Sequence, residues 1–145
     1  MASAVSGMTK LEINPRPIRV TLLTWLILVI ALWNGLRLVQ AIIFWSILNE
    51  YQAAQEPLYI AISGGFWLFA ALFIIKGIWQ GKTWAWAGTI GFAAGYESWY
   101  WFDRLVLEEP HANWPFALAF TVLLAGIFAF IFFSPKTRAY FNKKK

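Results

Sequence analysis

Four apolar runs of about 20 residues recur in this chain, and no other property limits its possible folds so strongly. A run of that length matches the roughly 20-residue helix that crosses a ~30 Å hydrocarbon core. Of the 145 residues, 60% are hydrophobic and only 13% charged. A soluble domain this small has too much surface for its volume to hide that much apolar area. The fold class expected is therefore all-α, a four-helix transmembrane bundle whose solvent is mostly lipid.

Taken in order, residues 1–17 read as a polar cytoplasmic N-terminus, with Met1 to Asn14 as a frayed end. Residues 18–133 form the membrane domain, with spans at about 18–48, 58–79, 84–107 and 114–133, and residues 134–145 are a basic cytoplasmic tail. Pro15 and Pro17 set the start of the first span, since proline suits a first helical turn. At about 1.5 Å per residue that span would measure roughly 46 Å, so it must tilt, kink or protrude. Asn34-Gly35 is its expected weak point. The connector at residues 49–57 holds Glu50 and Glu56, and Gln80 to Thr83 make a tight basic turn. Pro110 closes the third span, and Pro115 lies in the first turn of the fourth. The first apolar segment is too long for a signal peptide and reads as an uncleaved span.

The formal charge is +5, and all but Arg37 and Arg104 of the 12 basic residues fall at one side of the predicted spans. Lys10, Arg16 and Arg19 precede the first span, Lys76 and Lys82 flank the second turn, and the rest follow the fourth. The opposite connectors carry Glu50, Glu56, Glu108 and Glu109 and no lysine. By the positive-inside rule both termini are cytoplasmic. This is the pattern of a multi-pass protein in the bacterial inner (plasma) membrane, and nucleic acid is not implied as a partner. The tail residues Lys136, Arg138, Lys143, Lys144 and Lys145, beside Tyr140 and Phe141, are expected on anionic headgroups.

The absence of cysteine excludes disulfides, thiolate metal sites and cysteine nucleophiles. His111 has no second histidine or ordered carboxylates to make a metal site. Ser63, Ser98 and His111 show no triad-like arrangement. No catalytic residue, metal or cofactor is assigned. Most of the ten tryptophans sit where interfacial belts would place them: Trp79, Trp84 and Trp86 inside, Trp45, Trp99, Trp101 and Trp114 outside. Trp25, Trp33 and Trp67 lie deeper, as packing residues or pigment contacts.

The third span carries the chemistry. At about 100° per residue, Gly88, Gly91, Gly95 and Ser98 share a narrow arc suited to close helix contact, as Gly64 and Gly65 are on the second span. Tyr96, Glu97, Tyr100, Asp103 and Arg104 fall on the far side. Neither face suits lipid, which would make this span the centre of the bundle. On the first span Asn34, Arg37 and Gln40 share a side. Counted from the basic side, Arg37 stands about 27 Å up, between Glu97 at about 22 Å and Asp103 at about 31 Å. An ion pair of Arg37 with Glu97 or with Asp103 is geometrically reasonable, and Ser63 reaches a similar height. Such a layer either locks the bundle together or forms a protonatable site for a cation or small polar solute.

Arg16-Pro17, Trp33-Asn34, Trp101-Phe102-Asp103-Arg104-Leu105, Asn113-Trp114-Pro115-Phe116 and Arg138-Ala-Tyr-Phe141 resemble small four-span bacterial membrane proteins. That resemblance implies an architecture without implying a chemistry. Small multidrug transporters also have four spans, but their essential glutamate lies in the first helix, where this chain has Arg37. The functional expectation is a non-enzymatic integral membrane protein, self-assembling or an accessory subunit of a larger membrane complex. Its partners would be the lipid bilayer and either further copies of itself or other membrane subunits. The alternative is a small transporter or solute-binding protein using Glu97 and Arg37.

Overall fold

The structure is a computed structural model that describes residues 17–50, 56–107 and 113–142. The frayed N-terminal end, Pro110, His111, Glu108, Glu109 and Lys143 to Lys145, with Lys10 and Arg16, lie outside the described residues. The elements are α1 (Ile18–Ile43), α2 (Trp45–Glu50), α3 (Pro57–Trp79), α4 (Trp84–Phe102) continued by a π-helical turn (Asp103–Leu107), α5 (Trp114–Phe132) and α6 (Pro135–Phe141). Among the described residues there is no strand. Prolines stand in the first turns of α3, α5 and α6, where their missing N–H costs no helix bond.

α1 and α3 each bury a stripe at spacings of three or four. On α1 it is Val20, Leu23, Ile27, Ala31 and Asn34; on α3 it is Gly64, Trp67, Ala71, Ile74 and Ile78. That spacing holds a stripe on one helical face, and the two stripes make the α1–α3 pair the most extensive interface of the fold. α4 packs on α3, α5 on α1. The third predicted span is thus a flank and not the centre. Its buried face, Ala85, Thr89, Phe92 and Asp103, cuts between the glycine arc and the polar arc, taking one edge of each.

Outside these stripes the surface is apolar. Val29 is 61% exposed, Phe69 70% and Val122 63%, in the middle of their helices. Water-soluble monomers do not present apolar area on this scale. Three helices, α1, α3 and α5, are long and apolar enough to cross a membrane, as a multi-pass membrane protein requires. α4 is not among them, because its glycines, its tyrosines and Glu97 lower its mean hydropathy.

The first helix is shorter than expected and breaks elsewhere. It runs unbroken through Asn34-Gly35 to Ile43, with Phe44 as its C-terminal cap, and α2 follows from Trp45. Asn34 is fully buried, its Nδ2 donating to Ile30 O at 2.8 Å, and Gly35 lies against Leu68. Packing against α3 holds the pair helical despite its weak propensity.

The turn from α3 to α4 is a Schellman closure: Lys82 N–H donates to Gly77 O and Gly81 N–H to Ile78 O, both at 3.0 Å. Gly81 takes φ +61° there, a conformation that only glycine adopts cheaply.

Candidate functional site: the polar cluster at one end of the helices

The helices alternate in direction, so the molecule has two chemically distinct ends. One gathers Arg19, which lies 5.1 Å over the Phe130 ring, Ile78, whose carbonyl accepts from Tyr140 Oη at 3.0 Å, and Trp86, stacked 3.7 Å from Phe132. The other gathers the end of α1, the start of α3 and the end of α4. The candidate site is built there.

Asp103 is buried where α4 passes into its π turn, with its N–H shared between Trp99 O and Tyr100 O. A π turn adds a residue to the helical circuit and often marks a site that must aim a side chain. Asp103 Oδ2 stands 3.6 Å from Arg37 Nη2 on α1, and Oδ1 accepts from Tyr59 Oη on α3 at 2.9 Å. Trp99 Nε1 in turn donates to Tyr59 Oη at 3.1 Å. The Arg37 guanidinium lies 5.0 Å over the Trp99 ring, so one cation meets an aromatic face and a carboxylate together. Three helices are joined through four side chains.

Asn34 extends the cluster inward, donating to Tyr96 Oη at 3.3 Å as well as to its own helix. Tyr96 packs edge-on against Trp67, ring centroids 5.1 Å apart, and Trp67 also meets Phe92 and Trp99 at 5.7 Å. This aromatic floor separates the polar cluster from the aliphatic core below. The close approach it needs is set by Gly64: a Cβ there would come within 3.0 Å of Asn34 O and 3.1 Å of Leu38 N.

The remaining expected residues are placed as follows. Arg37 pairs with Asp103, and among the described residues Glu97 makes no ion pair with it. Glu97 is half-buried, and its Oε1 has no hydrogen-bond partner among the described residues. Ser63 is buried but its hydroxyl turns back to Ile60 O at 3.3 Å. Gln40 is exposed; Tyr100 and Arg104 are half-buried. Of the small residues, Gly64, Gly88 and Gly95 meet neighbours, Gly88 close to Ile74 and Gly95 to Trp67. Gly65 and Gly91 meet nothing and Ser98 is exposed. The Gly91–Gly95 contact pair is thus not formed: α4 turns only one edge of the glycine arc to α3.

Tyr59 was not legible as a site residue, although it lies one turn before Ser63 on a helix entering from the same end. Trp99 reads from sequence as a belt residue and Trp67 as a packing or pigment residue; the structure puts Trp99 in the cluster and Trp67 in the core. Trp25 and Trp33, each 60% exposed, point outward. Among the described residues no three His, Cys, Asp or Glu side chains gather as a metal site would need.

No protein-family model matches the chain, and no match was found among curated proteins or solved structures.

Proposed function

We propose that this chain is a non-enzymatic, four-span integral membrane protein of the bacterial inner membrane that acts by assembly, with itself or as an accessory subunit of a larger membrane complex. The observation that carries this reading is the Arg37–Asp103–Tyr59–Trp99 cluster. Its polar groups are directed at one another across three helices, which is what a joint does. An outward apolar surface on α1, α3 and α5 is left for lipid or protein neighbours.

The span added to α1, α3 and α5 in this reading is α4 with its π turn, Trp84 to Leu107. Its charges cluster near one end, where insertion costs less and where Asp103 has a cation beside it. With four crossings both termini share the basic end, on the cytoplasmic side. Because the chain has no cysteine, single cysteines report topology cleanly. Lys82→Cys and Asn142→Cys should be reachable by an impermeant thiol reagent only from the cytoplasmic face, and Glu56→Cys only from the other. Opposite labelling of Lys82→Cys and Asn142→Cys would remove the four-span topology. The assembly reading is tested by the mass of the particle in mild detergent, where a strictly monomeric, partnerless species would count decisively against it.

One observation favours a second reading, a small transporter or solute-binding protein. Glu97 Oε1 is buried without a partner among the described residues, and an ionisable side chain inside a membrane span is a natural place for a cation or a polar solute to bind. Unchanged proton-coupled uptake by Glu97→Gln across a broad substrate panel would end it.

A further inference from the structure

The basic end of the molecule carries a second feature, separate from the polar cluster. After Ser134 the chain folds back as α6, and three contacts hold it there. Thr137 Oγ1 donates to Ile131 O at 2.8 Å, Tyr140 Oη donates to Ile78 O at 3.0 Å, and Phe141, 3% exposed, packs beside Trp86. Between α6 and the start of α4 this leaves an open crevice of about 150 Å³ lined by Thr83, Trp86, Arg138, Phe141 and Asn142. At the ~30 Å³ of a liquid water, that holds about five water-sized groups, the scale of a phosphate with a few attached atoms.

The crevice has a divided lining. Trp86 and Phe141 form an apolar wall, braced by the stack of Trp86 on Phe132 at 3.7 Å. Arg138 holds its guanidinium 6.0 Å from the Trp86 ring, with the Thr83 hydroxyl and the Asn142 amide as further donors. Among the described residues no carboxylate lies within ion-pair distance of Arg138. The described carboxylates Glu50, Glu56, Glu97 and Asp103 belong to the other half of the molecule, while Arg19, Lys76, Lys82 and Lys136 share the end with Arg138. A cation, two neutral donors and an aromatic wall, with no acid opposing them among the described residues, select a phosphate carried on an apolar stem.

We propose that this crevice binds the phosphate of one anionic phospholipid headgroup, with Arg138 as its ion-pairing residue and Trp86 and Phe141 against the glycerol region. The inference rests on the membrane reading above. It differs from the general attraction of a basic tail to a charged surface, because it requires one residue and one cavity.

The test uses the full chain in mild detergent, loaded with phosphatidylglycerol or phosphatidylcholine, washed, and counted for retained lipid by native mass spectrometry. One phosphatidylglycerol should survive per chain, with several-fold less phosphatidylcholine. Arg138→Gln should lose phosphatidylglycerol several-fold, whereas Lys76→Gln, which removes an equal charge at the same end, should lose little. Asn142→Phe fills the crevice without changing any charge and should also lose the lipid, which keeps the test decisive where Arg138→Gln folds poorly. Equal losses in Arg138→Gln and Lys76→Gln, or full retention in Asn142→Phe, would reduce the crevice to diffuse surface attraction and overturn the proposal. Displacement of the lipid by millimolar inorganic phosphate would overturn the lipid as its source, leaving a soluble phosphate site. Release of the protein from membranes by an alkaline wash would remove the membrane reading itself; a protein that stays embedded yet retains no lipid removes only this inference.

Discussion

Arg37 of α1 and Asp103 of α4's π turn face each other at 3.6 Å, with the Trp99 ring against the cation. Both side chains are nearly covered, at 17% and 10% exposure. Removing one member of a covered ion pair leaves the other uncompensated, at a cost of about 3–5 kcal/mol, whereas removing both costs less. Arg37→Gln and Asp103→Asn should each destabilise on that scale, and the double variant by clearly less than their sum. Reversible unfolding in mixed detergent measures this, and strict additivity would show that the two residues do not act as a pair.

Tyr59 both donates to Asp103 and accepts from Trp99. Tyr59→Phe strands two covered groups, with an expected loss of about 1–3 kcal/mol. A shift in tryptophan fluorescence should accompany it, because Trp99 loses its hydrogen bond; unchanged emission together with wild-type stability would place Tyr59 outside the cluster.

Gly64 and Gly65 are neighbours in sequence with opposite surroundings. A Cβ on Gly64 meets the α1 backbone, one on Gly65 meets nothing. Gly64→Val should push α1 off α3 and cost about 1–3 kcal/mol or more through overpacking. Gly65→Ala should fall within about 0.5 kcal/mol of wild type or gain slightly from helix propensity. A reversed order in thermal unfolding would contradict the α1–α3 contact described above.

Trp67 and Trp25 are equally apolar but differ in burial, 8% against 60% exposed. Trp67→Ala should cost about 3–5 kcal/mol, since it empties the floor beneath the polar cluster. Trp25→Ala should stay within about 0.5 kcal/mol in detergent. Both are read from the same unfolding midpoint.

Thr137 and Tyr140 hold α6 against carbonyls of α5 and α3. The Thr137→Val, Tyr140→Phe double variant should speed hydrogen exchange in α6 while leaving α1 and α3 protected, because the loss is local. Uniform exchange changes along the chain would mean that α6 is part of the global unfolding unit.

The all-helical class was legible in the sequence because the length of an apolar run and the prolines beside it are local properties. Pro115 stands in the first turn of α5 as expected, while Pro57 and Pro135, read as the end of a connector and a stop, also open helices. The polar layer was legible in part: heights along two helices running the same way put Arg37 between Glu97 and Asp103. What could not be read was the rotation of each helix about its axis. Helical periodicity distinguishes faces but does not say which face a neighbour takes, and α4 bears two faces that both avoid lipid. Packing on α3 took the ground between them, which set Asp103 inward, left Glu97 without a partner among the described residues, and exposed Gly91 and Ser98. Asn34-Gly35 fails as a breakpoint for a similar reason, since contacts from α3 and α4 outweigh its low helix propensity.

Helical class, the positions of the apolar stretches and the uneven placement of charge are all written in the order of residues along the chain. These follow from composition over windows of one helix. The meeting of Arg37 with Asp103 beside Tyr59 and Trp99, and the fold-back of α6 that makes a crevice around Arg138, arise from packing alone. Those contacts depend on residues far apart in the chain meeting at a particular rotation and height, and that is settled by the packing of whole helices at Gly64, Trp67 and Phe132.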